Sequence, residues 1–314
     1  MIEVVEPGAL TSVQTARGRP GWRHLGIPVG GAADAWSARL ANRLVGNDDD
    51  AAVLEVTLIG PTLRFGAAAR VAVTGARFVA SVAGASLPPF EAREIPGGGT
   101  TLRIGEGDGA RAYLAIAGGV LVEPVLGSAA TDLRSGFGGH EGRALRAGDV
   151  LSFGSVARVA RRWPGTLPEG PIRIVDGPHV ERLATDALTS TAWTVSTAAD
   201  RTGARLDGPA LEGGEAEVAS MALPVGAIQV PPDGHPIVML ADRPVTGGYR
   251  VPACVIGADV GRVARLRPGD AVRFVSVSRE DARRAFLERE NELAALEDAG
   301  AAPDDELGWA GALE

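Results

Sequence analysis

Short apolar runs, each followed by glycine, proline or charged residues, recur along almost the whole chain. This pattern predicts strands and turns rather than long helices. Ile2 to Val5 and Leu10 to Gln14 open the sequence as two strands. After a glycine-rich loop from Arg17 to Gly31, Trp36, Leu40 and Leu44 recur every four residues on one face. Asp34 stands at the N-cap position and Gly46-Asn47 follows the run, so a helix is predicted there. From Ala51 the strand pattern returns: Val53 to Leu58, Thr62 to Phe65, Val71 to Thr74, Phe78 to Val82, Thr101 to Ile104 and Ala112 to Ile116. The second half repeats it with Ile172 to Val175, Trp193 to Ser196, Arg205-Leu206, Ala227 to Val230, Ile237 to Ala241 and Ala253 to Ile256. Between the fourth and fifth of these, Pro231-Pro232-Asp233-Gly234 is a tight turn, since proline pre-sets φ and Gly234 accepts a positive one. Ser278 with Asp281 forms a capping box for a helix running to about Leu296, with Phe286, Leu293 and Leu296 as its apolar stripe. The polar, acidic tail from Gly300 is expected to fray.

Regular short strands of this kind indicate a mainly β chain built as barrels or sandwiches. One internal echo suggests two of them. Leu145-Arg146-Ala147-Gly148-Asp149-Val150-Leu151-Ser152-Phe153 and Leu266-Arg267-Pro268-Gly269-Asp270-Ala271-Val272-Arg273-Phe274 share the pattern L-R-x-G-D-x-x-x-F, a glycine turn entering a strand near the end of each half. The expected organisation is a first β-barrel domain over 1–164, a second over 165–278, and a C-terminal helix and tail over 279–314. The Pro/Gly-rich stretch Arg161 to Pro171 holds the first boundary.

Composition narrows the function. The 314 residues carry a net charge of −8, against nucleic acid as a partner. There is no lysine: all 31 basic residues are arginine. That excludes a Schiff-base lysine, a phosphate-binding loop with its lysine, and biotin attached to this chain. The single cysteine, Cys254, lies in an apolar run, reads as a buried inert thiol, and excludes an internal disulfide. With no leader pattern at the N-terminus and no apolar run of membrane-spanning length, the expected location is cytoplasmic.

Candidate chemistry centres on the hairpin from Ala227 to Ala241, which delivers Asp242-Arg243 and then Thr246-Gly247-Gly248-Tyr249 to one end. Asp242 and Arg243 read as a carboxylate for proton transfer with an arginine for a carboxylate, lactam oxygen or phosphate, or else as an ion pair closing a turn. The functional reading is put first because the glycines let a ligand approach the backbone. Gln229, mid-strand among apolar neighbours, is either an amide for a lactam or urea group or a strand-tying hydrogen bond. Arg134, ahead of the loop Gly136 to Gly139, is either an anion-binding group or part of a loop salt bridge. Asp34 is read as a helix cap first and as part of an anion site second. Glu55, flanked by Leu54 and Val56, is either a buried acid with a raised pKa or an arginine-paired structural acid, the second being put first. His24, His140, His179 and His235 lack metal-ligand spacing, and only His140 merits a test. Asp48-Asp49-Asp50 reads as a solvated loop run.

With these residues assembled, the chain resembles the family of 5-oxoprolinase C-type subunits and KipA proteins, also described as allophanate hydrolase subunit 2 and as the carboxyltransferase region of urea carboxylase. The matching stretches include Gly31-Ala32-Ala33-Asp34, Arg39 to Asn47, Tyr113 to Gly119, Thr131 to Gly139, Asp200-Arg201-Thr202-Gly203, Gly226 to Pro231, Leu240 to Arg243 and Thr246 to Tyr249. The chain departs from the family's usual residues at Ala33, Thr202 and Pro244-Val245. The resemblance implies two cyclophilin-like β barrels. It also implies a cytoplasmic heteromeric 5-oxoprolinase complex, with a KipI-like B-type subunit and an A-type subunit as partners. In that complex 5-oxo-L-proline is opened to L-glutamate with ATP, the nucleotide being shared with the partner subunits. Two alternatives follow from the same family: a biotin-dependent carboxyltransferase component of urea amidolyase type, and a KipA-like module that binds a KipI-like kinase inhibitor. On this reading Asp242, Arg243 and Gln229 carry catalysis. Arg134 and Asp34, taken as companions from the first half, bind substrate with Thr246, Gly247, Gly248 and Tyr249, in a site between the barrels with no metal.

Overall fold

Alternating burial along the predicted strands resolves into two units in this computed structural model, which describes residues 1–155, 160–180, 185–211 and 218–298. The first unit comprises Met1–Ala16, Ala35–Gly165 and the chain from Leu293. The second comprises Arg17–Asp34 and Thr166–Glu292. The glycine-rich loop before the first helix therefore belongs to the second unit, where Ala33 is part of the core.

The first unit pairs a seven-stranded sheet with a five-stranded one. Their orders are Val120–Leu121, Val150–Phe153, Ile2–Glu6, Thr62–Phe65, Thr100–Ile104, Ala80–Val82, Ala85–Leu87, and Leu10–Gln14, Val53–Ile59, Glu106–Ile116, Ala69–Gly75, Arg93–Ile95. The chain crosses between sheets at Gly60 and again at Gly105, and the two corners are tied by Gly60 N–H donating to Gly105 O at 3.0 Å. A Cβ on Gly60 would lie 2.5 Å from Ile104 Cγ2, so the corner requires glycine. Between the sheets, Val4, Leu54, Val56, Leu63, Phe65, Leu102 and Leu114 are fully buried. Helix α1 (Ala35–Val45) packs Leu40 and Leu44 inward, and Trp36 meets Trp163 edge-on at 5.2 Å.

The second unit is organised by one eight-stranded sheet in the order Ala271–Val272, Trp193–Val195, Gly203–Asp207, Ile237–Met239, Ala227–Val230, Arg250–Val255, Ile172–Asp176, Phe274–Ser276. Its two edge strands are separated in sequence only by Arg273, so the sheet curls until its edges are one continuous segment: a nearly closed barrel, without the exposed edges of an open sheet. Trp193, Ile228, Val238 and Ala253 fill its core. The short helices α2 (Thr185–Ser190) and α3 (Val260–Arg265) connect its strands.

The echoed nine-residue pattern builds the same turn in both units. In the first, Asp149 N–H donates to Arg146 O while Arg146 N–H donates to Asp149 Oδ2 at 2.8 Å, and Gly148 N–H and Asp149 O bracket Val4. In the second, Asp270 N–H donates to Arg267 O, Arg267 N–H donates to Asp270 Oδ2 at 2.7 Å, and Gly269 N–H and Asp270 O bracket Val195. Both glycines have positive φ, 87° and 92°.

Three expectations are corrected. Helix α4 (Arg279–Ala294) is capped as predicted, with Ser278 Oγ accepting from Asp281 N–H at 3.0 Å, but it ends before Leu296. Its buried stripe is Ala285, Arg289 and Leu293, while Phe286, one position and about 100° round the helix, is 47% exposed. Asp49 is not merely solvated: Arg39 and Arg43 both donate to its carboxylate, and their hydrogen bonds hold its pKa below the ordinary value. The segment predicted as a strand from Phe78 begins only at Ala80, because Phe78 N–H turns back onto Ala76 O. Among the described residues no helix is long and apolar enough to cross a membrane. Cys254 is half-buried, and burial pushes its thiol up.

Asp149 gives a stability prediction. The Arg143 guanidinium forks onto it at 2.7 and 2.9 Å, and this bonding holds its carboxyl well below the usual range. A lowered folded pKa contributes stability that is complete above ~4, the ordinary Asp value, and is lost as pH falls toward the folded value. Asp149→Asn should cost about 1.5–3 kcal/mol in urea unfolding at pH 7. It should also flatten the fall of Tm between pH 5 and 2. An unchanged acid slope would refute the assignment.

Candidate functional site

The hairpin forms as expected: Ile228 pairs with Val238 and Gln229 with Ile237, and the turn closes through Gly234 N–H donating to Pro231 O at 3.0 Å, with Gly234 at φ 77°. Beyond its second strand, Asp242 and Arg243 separate. Asp242 faces Arg201, which forks onto it through Nε at 2.8 Å and Nη2 at 3.0 Å and also donates to Gly31 O at 2.6 Å. The pair is nearly closed to solvent. The local sequence aims it: Asp200 Oδ1 accepts the N–H groups of Thr202 and Gly203 in an Asx turn, and Asp242 N–H donates to Arg201 O at 2.9 Å. The Asp-Arg pairing expected from adjacency is thus corrected. Asp242 pairs with an arginine 41 residues away.

Arg243 turns the other way, donating through Nε to Leu223 O at 2.9 Å and through Nη1 to Leu240 O at 3.2 Å. Arg23 reaches the same carbonyl: its Nη2 donates to Leu223 O and to Val245 O, each at 3.1 Å. It is carried by the short 3-10 turn Arg23–Leu25 in the glycine-rich loop. Burial first, and Arg23 second, lower the Arg243 guanidinium to about 10. Among the described residues no carboxylate meets either guanidinium. Sequence alone does not single out Arg23 or Arg201 as site residues. Arg201 sits in the quoted Asp200-Arg201-Thr202-Gly203 stretch, but Arg23 carries no local signal.

Gln229 is 4% exposed, and its Nε2 has no hydrogen-bond partner among the described residues. The strand-tying hydrogen bond is therefore not made by that atom. The amide lies against Gly247, where a Cβ would come within 2.6 Å of Nε2 and 2.8 Å of Leu223 Cδ1. Gly247 is thus a glycine because Gln229 and Leu223 fill its side-chain space. Thr246–Gly247 pairs with Met221–Ala222, and Gly248 O accepts from Val218 N–H. Thr246 and Tyr249 are exposed.

Asp34 belongs to the second unit, not the first. It is buried, and Arg265 forms a salt bridge with its Oδ2. Arg134 lies in the first unit, exposed, above a turn in which Asp132 Oδ1 accepts the N–H groups of Arg134 and Ser135. Its guanidinium makes no salt bridge among the described residues, which corrects the loop-bridge reading. Glu55 is fully buried, accepting from Tyr113 Oη at 2.9 Å, with Arg111 Nε at 3.9 Å. His140 stands 3.5 Å from Asp149, and His179 Nδ1 accepts from Val251 N–H. Among the described residues no group of three or more His, Cys, Asp or Glu could hold a metal.

A buried pair tests the frame under this site. Asp242→Ala leaves Arg201 charged and enclosed, and should cost about 3–5 kcal/mol in urea unfolding. Replacing both, as Asp242→Leu with Arg201→Met, should cost clearly less than the two single changes added together. Additive losses would show that the pair is not coupled.

The arrangement is a donor-rich surface whose adjacent Asp242 carboxylate is already neutralised by Arg201. It suits binding of an oxyanion or carbonyl more readily than proton abstraction by Asp242. Comparison with known proteins agrees with the fold and places the family. The carboxyltransferase domain family, subdomain A and B, matches residues 25–276. The C-type subunit of the 5-oxoprolinase of Escherichia coli (strain K12) is 38% identical over 298 residues, covering 91% of this chain and 94% of that protein. The urea amidolyase of Saccharomyces cerevisiae is 35% identical, but the match covers only 17% of its length. The crystal structure of the K. lactis urea amidolyase superposes with a TM-score of 0.87 at 31% identity, over 95% of this chain and 20% of that one. The chain belongs to the carboxyltransferase domain family, subdomain A and B, with 5-oxoprolinase C-type subunits among its relatives.

Proposed function

We propose that this chain is the C-type subunit of an ATP-dependent 5-oxoprolinase complex, opening 5-oxo-L-proline to L-glutamate together with a KipI-like B-type subunit and an A-type subunit. The observation that carries the reading is the extent of the match. Nearly the whole of the E. coli C-type protein aligns at 38% identity, against a sixth to a fifth of urea amidolyase. The donor surface supports it, since a lactam acid offers a carboxylate and a carbonyl oxygen, and guanidinium and amide groups bind both. In this reading Arg243 holds substrate, Gln229 supplies an unused amide donor beneath Gly247, and Asp242 fixes Arg201, which holds the Gly31 carbonyl. Without a lysine, the chain relies on a partner for a phosphate-binding loop, and ATP is shared with that partner.

A second reading has its own support. The matching family is named for carboxyl transfer, and the K. lactis urea amidolyase superposes closely, so a carboxyltransferase component using biotin carried elsewhere is the alternative.

Purified together with its neighbouring gene products, the chain should show ATP hydrolysis that depends on 5-oxo-L-proline. Arg243→Ala should reduce it at least ten-fold while the complex stays intact. Absence of turnover with all three subunits present would sink the reading. Carboxyl transfer to urea from added biotin would then favour the second one. Tight pairing with the KipI-like partner and no turnover of either kind would favour a regulatory module.

A further inference from the structure

Arg23 and Arg243 come from the two separate sequence segments of the second unit and converge on one acceptor, Leu223 O. Elsewhere in this unit Arg201 meets Asp242, Arg173 and Arg262 share Asp259, Arg265 meets Asp34, Arg284 meets Asp281 and Arg289 meets Glu292. Arg23 and Arg243 meet no acid among the described residues, and a backbone carbonyl carries no charge with which to neutralise them. Two like charges held on one carbonyl repel each other, and the repulsion is relieved by an anion between or beside them. Both residues are half-buried rather than enclosed, so N–H groups not used on backbone carbonyls remain reachable.

The neighbourhood adds a second donor surplus. Val245 O, which holds Arg23, precedes the Thr246–Gly247 strand, and beneath Gly247 lies the unpartnered Nε2 of Gln229. The backbone is already closed around these donors, since Leu223 N–H donates to Val245 O at 3.1 Å. Among the described residues the fold therefore gathers two guanidinium groups and an amide donor around this carbonyl with no acidic partner. A phosphate and a carboxylate share the required chemistry. Arg23 Nε and Nη1 and Arg243 Nη2 are not used on these carbonyls, and one donor from each arginine matches the two oxygens of a carboxylate.

We propose that Arg23 and Arg243 form a two-arginine clamp for the carboxylate of a small organic acid, which makes Arg23 a ligand-binding residue. The identity of the acid, 5-oxo-L-proline, rests on the 5-oxoprolinase reading; the clamp does not.

Binding is measured by calorimetry on the full chain, alone and with its partner subunits, using 5-oxo-L-proline, L-glutamate, inorganic phosphate and the uncharged 5-oxo-L-prolinamide. One of the two acids should bind, more weakly as salt rises, with prolinamide and phosphate at least ten-fold weaker. Arg23→Gln and Arg243→Gln should each weaken acid binding at least ten-fold. Arg23→Lys, which keeps a positive charge but not the several donors that hold both carbonyls and the acid, should recover part of it and also serves if Arg23→Gln fails to fold. In the complex Arg23→Gln should raise KM for the acid more than it lowers kcat. Wild-type affinity in both Arg23 variants, equal binding of acid and amide, tighter binding of phosphate than of either acid, or no binding of any anion would each overturn the clamp. Acid binding that depends on Arg23 in a complex without 5-oxoproline turnover would uphold the clamp and overturn only the 5-oxoprolinase reading.

Discussion

The fork between Arg201 and Asp242 sets what the rest of the second unit can do. It consumes the Asp242 carboxylate at the hairpin's end, ties the 201–203 segment to the 240–242 segment, and through Arg201 Nη2 holds the Gly31 carbonyl of the glycine-rich loop. A buried ion pair of this kind contributes less to net stability than to fixing one arrangement, because desolvation offsets much of the attraction. Here the arrangement it fixes matters. With Asp242 facing Arg201, Arg243 is turned toward Leu223 and Leu240 and, among the described residues, meets no acid. The same loop that Arg201 anchors at Gly31 supplies Arg23.

The two L-R-x-G-D turns show a repeat in hydrogen-bond terms rather than in letters alone. In each, a glycine at positive φ lets the chain reverse, the following aspartate accepts the arginine's backbone N–H, and the turn brackets a valine of a neighbouring strand. Few residue types satisfy those constraints at once, so the same pattern recurs even where strand order does not. The surrounding sheets differ: a two-sheet stack turned at Gly60 in the first unit, and a sheet closed through Arg273 in the second. The local motif is the portable element.

That distinction explains what could be read from sequence. Ala227–Val230 and Leu10–Gln14 match their predicted bounds because a full apolar run lies between turn formers. Ala85–Leu87, Arg93–Ile95 and Val120–Leu121 have two or three residues each and no run of their own, and pairing with distant partners makes them strands. The capping box at Ser278 was legible because it is local, whereas the helix's buried face was misread. Arg289 is buried on it despite its charge, while Phe286 is not. The site followed the same rule. Glycines, the turn and the hairpin are local signals, but Arg23 and Arg201 reach their places across about two hundred residues of chain, and no spacing rule connects them. Adjacency even misled, since Asp242 and Arg243 are neighbours in sequence and belong to separate networks.

The all-arginine composition gains a physical meaning at this point, whatever its origin. Burial and the neighbouring Arg23 bring the Arg243 guanidinium down from its ordinary value to about 10, where it stays protonated at neutral pH. An ammonium starts at ~10.4, and a push of the same size would leave it near ~8, partly neutral in the range where cells operate. A lysine at position 243 would thus shed part of its charge, through burial first and the neighbouring Arg23 second. Guanidinium is the basic side chain that can be buried there beside another cation, on an uncharged carbonyl, and remain charged. At position 243 arginine therefore keeps a full charge that lysine would partly lose.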